Sequence, residues 1–210
     1  MSNKIIQGGR ENQKWRTRKE ILRAAQRLLV GGKVPTLEDV AEEARVSRAT
    51  IYRYFSNINL LLLEAPLDAL TVEADALLAD APPTPCGRVE AVQGYFHELV
   101  ANNEVFFRNY LRATLEQWME EGGQPREPLR QARRVEAYKE ALAPVKKRLR
   151  PADHLRLVHA LSVLSSIEAF VVFRDVCGLS ADEARATGQW AVRHLTEAVL
   201  GGTEQSIPEE

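Results

Sequence analysis

The sequence predicts an all-α fold in which a small N-terminal three-helix unit with a helix-turn-helix precedes a larger helical region. Apolar residues recur at helical steps of three, four and seven along most of the chain. No segment has the sustained alternation or the β-branched density that is typical of strands. Glycine and proline clusters at residues 31–35, 82–87 and 122–125 separate the helices. These observations indicate two domains, residues 1–56 and residues 57–210.

Composition favours a soluble globular protein. Of the 210 residues, 45% are hydrophobic and 27% are charged, which argues against extensive disorder. The two cysteines are too few for a disulfide scaffold and lack zinc-ligand spacing. The N-terminus has no apolar run of signal-peptide length, and polar residues interrupt the longest apolar-rich stretch, 155–173. We therefore expect a cytoplasmic protein that makes no membrane contact.

The net charge of −1 hides an uneven distribution along the chain. Residues 1–65 contain 12 Lys and Arg against 7 Asp and Glu, a net charge of +5, whereas residues 66–210 contain 16 against 22, a net charge of −6. Such asymmetry of charge between two segments indicates that one of them is an interaction region.

The first helix is predicted from about Glu11 to Val30. Its apolar stripe comprises Ile21, Leu22, Ala25, Leu28 and Leu29. The other face carries four basic residues, Arg16, Lys19, Arg23 and Arg27. This face is either a solvated surface or a binding surface for an anionic partner.

Two short helices joined by a tight turn follow. Thr36, with Asp39 three residues later, predicts a capping box at the start of the second helix. Ser47 is expected to cap the third helix, which runs from Arg48 to about Tyr54. This arrangement is that of a helix-turn-helix.

The segment TLEDVAEEARVSRATIYRYF, residues 36–55, resembles the DNA-binding signature of the TetR family of transcriptional regulators. The shared positions keep the family's order and spacing: Thr36, Val40-Ala41, Val46-Ser47, Thr50-Ile51-Tyr52 and Tyr54-Phe55. The resemblance covers roughly residues 14–64. It implies that the third helix enters the major groove of double-stranded DNA.

The residue types suit this role. Arg48 and Arg53 are able to donate bidentate hydrogen bonds to guanine, and Arg48 is the strongest candidate for a base contact. The full set of candidate DNA-binding residues is Thr36, Ser47, Arg48, Ala49, Thr50, Tyr52, Arg53 and Tyr54. Tyr52 has packing as its alternative role, Arg45 is expected to be a solvated turn residue, and Ile51 and Phe55 are expected in the core.

The chain departs from the family at position 58, where Ile58 stands in place of a common lysine. A phosphate contact usual in the family is therefore missing or is replaced by Asn57 or Asn59. A fourth helix is predicted from about Asn57 to Asp80, with a kink or break near residues 62–66 because Pro66 cannot donate a backbone hydrogen bond. We expect this kink to set the angle between the two domains.

The larger domain lacks any catalytic, cofactor-binding or metal-binding constellation recognisable from sequence. Aromatic residues cluster on a helix from about Arg88 to Ala101 and on the next helix. Such stripes are mostly core, but the resemblance implies a pocket for a small, largely apolar effector. The candidate lining residues are Phe107, Tyr110, Trp118 and Glu168.

The last two predicted helices, about Ala152 to Asp175 and about Ser180 to Leu200, have surplus apolar surface. The second also has small residues at heptad-like spacing, which permits close helix approach. Members of the resembled family form homodimers by pairing their last two long helices into a four-helix bundle. The candidate interface residues are Leu161, Leu164, Ala184, Gly188, Ala191 and Leu195.

The resemblance thus implies a homodimeric repressor that binds a palindromic operator and is released by a small molecule. One alternative is an activator or DNA-organising protein of the same fold without a ligand. Another is an all-helical enzyme with a vestigial helix-turn-helix, against which the missing catalytic constellation counts.

Overall fold

The structure is a computed structural model that describes residues 3–31, 34–55, 57–124 and 130–204. Residues 32 and 33 of the first predicted break and Pro125 of the third lie outside the described residues. The chain divides into two compact units. Unit 1 comprises Met1–Thr71 and Asn109–Arg130, and unit 2 comprises Val72–Arg108 and Gln131–Glu210. The described residues contain helices and no strand, so the expected all-α class is confirmed.

Unit 1 contains four N-terminal helices: α1 Asn3–Val30, α2 Leu37–Glu43, α3 Arg48–Tyr54 and α4 Ile58–Leu70. The first begins earlier than the predicted position near Glu11. Helix α1 packs against α2 and α4, and α2 packs against α3. A further helix, α7 Glu104–Glu120, contributes its residues from Asn109 onward to this unit.

One hydrophobic core holds α1 to α4 together. The predicted stripe of α1 supplies Ile21, Leu22 and Ala25, all fully buried, and α3 supplies Ile51. Phe55, which follows α3, is also fully buried. The expected core positions of Ile51 and Phe55 are therefore confirmed, and they fix which face of α3 points outward.

The buried pair of Arg18 and Glu64 joins α1 to α4. Nε and Nη2 of Arg18 donate to the two carboxylate oxygens at 3.2 and 2.5 Å. The side chain of Glu64 is 0% exposed and that of Arg18 is 12% exposed. Arg18 also donates through Nη1 to the Tyr54 carbonyl at 3.3 Å and lies 4.3 Å from the centre of the Phe55 ring. A single guanidinium thus holds α4 and the C-terminal end of α3 against α1.

The helix predicted over residues 57–80 is two helices, α4 and α5 Ala74–Leu78. Of the kink or break expected near residues 62–66, the break is wrong: Pro66 lies inside α4, and the helix ends at Leu70. The chain turns extended at Thr71, and the Val72 N–H, instead of continuing a helix, donates to the Tyr95 hydroxyl at 3.0 Å. Burial of Ala65 and Leu67 on either side of the proline stabilises α4 there, so packing outweighs the missing hydrogen bond.

Unit 2 is built from α5, α6 Pro85–Ala101, α8 Arg133–Ala141, a 3₁₀ turn Ala143–Arg148, α9 Pro151–Leu164, α10 Ile167–Val171 and α11 Ala181–Glu204. Helix α6 packs against α5, α8 and α11, and α9 packs against α8 and α11. The central side chain is Tyr138, which is fully buried and whose hydroxyl forms a short hydrogen bond with Ser165.

The helix predicted over residues 152–175 is broken at Ser165 and Ser166. The segments Pro151–Leu164 and Ile167–Val176 are bent by 45°. Ser165 donates to the Leu161 carbonyl, and Ser166 caps α10 by accepting from the Ala169 N–H at 3.1 Å. Serine side chains that bond to the backbone in this way compete with helix continuation.

A π-helical turn, Val172–Val176, follows α10. Arg108 anchors this turn by donating to both carboxylate oxygens of Asp175 at 2.7 Å. The same guanidinium donates to Glu104 at 2.8 Å. The bidentate contact lowers the pKa of Asp175 and raises the pKa of Arg108. An ionised, paired carboxylate therefore fixes this turn at neutral pH.

The predicted dimer-interface residues face the interior of unit 2. Leu161 and Ala184 are 0% exposed within the single chain. Gly188 is buried against α6, where an added Cβ would lie 2.4 Å from Nε2 of Gln93. Leu164 and Leu195 are partly buried against the same core, and Ala191 is half-buried. The surface that α9 and α11 leave exposed lies at other positions, among them Val163 and Trp190.

Within the described ranges, no single helix combines the length and apolar character needed to cross a membrane; Pro151–Leu164 and Ile167–Val176 reach them only as a bent pair. The same ranges bring no three His, Cys, Asp or Glu side chains together where they could hold a metal ion.

Replacing Glu64 with Gln is expected to lower the free energy of unfolding by about 3 kcal/mol, because Arg18 would keep its buried charge without a counterion. Urea denaturation measures this loss. Glu20→Gln is the matched control, since the Glu20–Arg23 pair at 2.9 Å is about half exposed on both sides, and its loss is expected to stay below about 1 kcal/mol. Equal losses in the two variants would contradict the assignment.

Candidate functional site

The outward face of α3 presents a basic and aromatic surface. Arg48, Ala49, Tyr52 and Arg53 are exposed, and Thr50 and Tyr54 are half-buried. This division follows from the inward anchors Ile51 and Phe55, since residues three and four positions apart share a helix face. The guanidinium of Arg53 lies 5.1 Å from the centre of the Tyr54 ring. The face thus offers two arginine forks and aromatic hydroxyls to a partner.

Hydroxyl side chains cap the N-termini of both helices of the helix-turn-helix. The predicted capping box is present: Thr36 Oγ1 accepts from the Asp39 N–H at 3.2 Å, and the Asp39 carboxylate accepts from the Thr36 N–H at 2.8 Å. Ser47 Oγ accepts from the Thr50 N–H at 3.1 Å and lies 2.8 Å from the Thr50 hydroxyl. Thr36 and Ser47 therefore position the backbone, and Thr50 is held by its neighbour.

The turn between α2 and α3 requires a left-handed residue. Arg45 has a φ of 54°, and the Arg45 and Val46 N–H groups donate to the carbonyls of Glu42 and Ala41 at 3.0 and 2.9 Å. These two bonds form a Schellman motif, which ends α2. Arg45 is exposed, in keeping with its expected role as a turn residue.

Glu38 of α2 contacts two residues of α3. Its Oε1 accepts from the Tyr52 hydroxyl at 3.0 Å and lies 3.0 Å from Nη2 of Arg48. The Arg48 guanidinium carbon is 5.7 Å from the centre of the Tyr52 ring. The three side chains form a cluster on the exposed surface, which we call the Glu38 cluster.

The basic side chains of α1 differ in their partners. Arg23 pairs with Glu20 at 2.9 Å, and Arg27 pairs with Glu43 at 2.6 Å. Lys19 lies 4.7 Å from the centre of the Trp15 ring. Arg16 is exposed.

The first residue of α4 is Ile58, which stands where a lysine is common in the resembled family. Ile58 is half-buried and packs against the core of unit 1. Asn57 caps the helix by accepting from the Asn59 N–H at 2.8 Å, whereas the side chain of Asn59 is exposed. Of the two asparagines, Asn59 is the one whose amide points to solvent.

A family model described as bacterial regulatory proteins, tetR family, matches residues 21–65. This segment contains the end of α1, the whole of α2 and α3, and α4 up to Ala65. Residues 21–65 thus carry the N-terminal DNA-binding domain of the TetR family. The chain is accordingly a DNA-binding transcriptional regulator. No curated protein and no solved structure matches the chain significantly.

Unit 2 contains a small cavity beside the break between α9 and α10. Its volume of about 10 Å³ is close to the space that one water molecule needs. The lining residues are Gln93, Phe96, His97, Val100, Leu164, Ser165, Ser166, Phe170 and Phe173. The lining is apolar except for an amide, an imidazole and two hydroxyls, and it contains no carboxylate, lysine or arginine.

Gln93 and His97 supply the polar end of the cavity. Gln93 is 1% exposed, and its Oε1 is buried without a hydrogen-bond partner. His97 Nε2 lies 2.8 Å from the Ala181 carbonyl, and its ring is 5.3 Å from that of Phe170. Burial lowers the pKa of His97, against the opposing effect of the Ala181 carbonyl. A neutral His97 that donates from Nε2 leaves Nδ1 as an acceptor.

The four residues predicted to line an effector pocket lie elsewhere. Phe107 and Tyr110 are buried, and Glu168 is half-buried. Trp118 is 47% exposed and packs over Gly123, where an added Cβ would lie 3.0 Å from its ring. None of the four is among the residues that line the cavity in unit 2.

Glu38, Gln93 and His97 were not predicted from the sequence. Gln93 and His97 lie four residues apart within the apolar run Val89, Val92, Phe96 and Val100, and two polar residues on the buried stripe of a helix are a recognisable signal. Glu38 carries no such signal, because its contacts with α3 depend on the angle at which the two helices cross.

Acidification is expected to destabilise the protein through His97. Its folded pKa lies below the ordinary value of 6.5, so the unfolded chain takes up a proton first as the pH falls through 6.5. The stability that neutral His97 contributes is fully present above pH 6.5 and is lost as the pH falls toward the lower pKa of the folded state. Urea denaturation at about pH 7.5 and about pH 5.5 measures the difference.

His97→Gln is expected to reduce the difference in stability between the two pH values without abolishing it. The pKa of His154 is lowered as well, mainly by burial and further by the positive charges of Lys146 and Lys139. His159→Gln controls for removal of an exposed histidine. An unchanged pH dependence in His97→Gln would refute the role of His97.

Proposed function

We propose that the protein is a homodimeric repressor that binds a palindromic operator and is released by a small molecule. The observation that carries its DNA-binding part is the orientation of α3, in which buried Ile51 and Phe55 leave Arg48, Tyr52 and Arg53 exposed on one face. A helix with this surface suits the major groove, whose width accepts one α-helix. Release by a ligand and the sign of regulation rest on the likeness of residues 21–65 to the TetR family.

In this proposal the side chains of unit 1 divide into those that read bases and those that bind phosphates. Arg48, with Arg53 and Thr50, contacts base edges, because a guanidinium fork matches the two acceptors of guanine. Ala49 permits close approach of the backbone. Tyr54 donates to a phosphate, and Tyr52 lies beside Arg48 on the face that approaches the DNA. Thr36 and Ser47 cap the helices that approach the DNA.

The cavity beside the α9–α10 break is the proposed effector site. Its lining is uncharged and mostly apolar, and the buried Gln93 oxygen lacks a partner, which favours a small neutral molecule with an N–H or O–H donor. With about 10 Å³ the cavity has to expand to admit such a molecule. The bend at Ser165–Ser166 is the proposed point of expansion, since no helical hydrogen-bond ladder has to be broken there.

The proposed dimer forms through α9 and α11. Both helices leave large apolar side chains exposed in the single chain, Leu155 and Val163 on α9 and Trp190 on α11. The Trp190 ring lies 4.6 Å from that of His194, one turn further along. Of the predicted interface residues, those buried inside the chain would support this surface from beneath.

Selection of bound fragments from a random DNA pool is expected to return a two-fold symmetric sequence, because a symmetric dimer presents two copies of α3. On that operator, Arg48→Ala is expected to weaken binding by about 1–3 kcal/mol and to relax the preference at one base pair in each half-site. Arg16→Ala, on the exposed face of α1, is the matched control. It should weaken all sequences alike and reduce the salt slope by about one.

Enrichment of no sequence would overturn the proposed operator binding, and enrichment of a single asymmetric site would overturn the dimer. An Arg48→Ala variant with unaltered base preference would remove Arg48 from base reading.

The effector site is tested by screening small neutral aromatic alcohols and amides for release of the operator. Gln93→Leu is expected to raise the effective concentration of a hit by about tenfold or more, because the buried acceptor is lost, while operator affinity without the compound stays unchanged. Trp118→Ala is the control at the other predicted site. Loss of release in Trp118→Ala alone would place the effector with Phe107, Tyr110 and Glu168 instead.

A further inference from the structure

Glu38 holds two side chains of α3 from a neighbouring helix. A single oxygen, Oε1, accepts from the Tyr52 hydroxyl and pairs with Arg48, both at 3.0 Å. Glu38 lies at the second position of α2, where the capping box of Thr36 and Asp39 fixes the backbone. The backbone of Glu38 is thereby fixed, and its carboxylate reaches the exposed face of α3.

The contact between Glu38 and Arg48 is exposed, so it is weak enough to be exchanged for another. The side chains are 48% and 73% exposed, respectively. Exposed ion pairs contribute little to stability, and water or a competing acceptor readily replaces one partner. Although the contact is weak, Glu38 neutralises the charge of Arg48 and limits the directions in which its guanidinium points.

We propose that Glu38 is a specificity-determining residue for DNA binding, which holds Arg48 and Tyr52 in position and lowers affinity for DNA that lacks the right base. This inference rests on the proposed DNA interface. On non-operator DNA, Arg48 stays paired with Glu38, and the pair adds no net positive charge against the phosphates. On the operator, guanine acceptors satisfy the remaining donors of a guanidinium that is already oriented.

The two effects act in the same direction on selectivity. A carboxylate that cancels the charge of Arg48 removes an attraction to the phosphates of every sequence, and only a base contact by Arg48 offsets that loss. Orientation of Arg48 and Tyr52 by one carboxylate also reduces the side-chain freedom lost on binding. Loss of Glu38 should therefore raise non-specific affinity more than operator affinity.

The test is Glu38→Gln, which preserves shape and removes the charge. Binding of the wild type and the variant is measured on the selected operator, on an operator changed at the base pair that Arg48→Ala relaxes, and on unrelated duplex DNA. We expect affinity for unrelated DNA to rise several-fold and the operator preference to fall roughly three- to tenfold.

Glu43→Gln is the matched control. Glu43 also lies on α2 and pairs with an arginine, Arg27, at 2.6 Å, but has no contact with α3 among those described. This variant changes net charge by the same amount, so it is expected to raise affinity for all DNA while keeping the operator preference. In an Arg48→Ala background, Glu38→Gln should no longer change the preference at the Arg48 base pair.

Three outcomes separate the possibilities. Equal preference in Glu38→Gln and Glu43→Gln would overturn the specificity role and leave a general charge effect. A change of preference that persists without Arg48 would mean that Glu38 reads a base itself, which also overturns the inference. Failure of the wild type to select any sequence would instead overturn the proposed function. If Glu38→Gln unfolds, Glu38→Asp, which shortens the reach but keeps the charge, tests the same geometry.

Discussion

The buried ion pair of Arg18 and Glu64 is the constraint on which unit 1 depends. A carboxylate with 0% exposure requires a cation with well-directed donors, and Arg18 supplies two hydrogen bonds to it. The same guanidinium binds the carbonyl of Tyr54 and covers the ring of Phe55. The positions of α1, α4 and the end of α3 are thus coupled through one side chain. A shift of α4 along α1 would break all of these contacts together.

The parts of the fold that the sequence predicts are those that depend on residues close in the chain. Thr36 with Asp39, and Ser47 with Thr50, are separated by three positions, so the caps follow from local geometry. The core positions of Ile51 and Phe55 follow from the period of one short helix. Local rules fail at Pro66, which α4 retains because buried Ala65 and Leu67 flank it.

The break in unit 2 and the contacts of the candidate sites depend on distant partners. Ser165 hydrogen-bonds to Tyr138, 27 positions earlier, and Arg18 to Glu64, 46 positions later. The pairing of Glu38 with Arg48 and Tyr52 likewise depends on the crossing of α2 and α3. Periodicity predicts that α9 and α10 are buried, but it does not predict which polar group interrupts them. Local composition likewise predicted Phe107, Tyr110, Trp118 and Glu168 as pocket residues, whereas the residues that line the cavity come together from separate helices.

Two ion pairs of unit 1 differ in exposure, and this difference decides whether DNA is able to compete for the arginine. The pair of Arg18 and Glu64 is inaccessible to DNA, so it determines structure and is not exchanged on binding. The pair of Arg48 and Glu38 is exposed, so a phosphate or a base is able to compete for the same guanidinium. A buried contact at one end of α3 and an exposed contact at the other permit α3 to stay in place while Arg48 gains a base as a further partner. This combination allows sequence discrimination without movement of the helix that carries it.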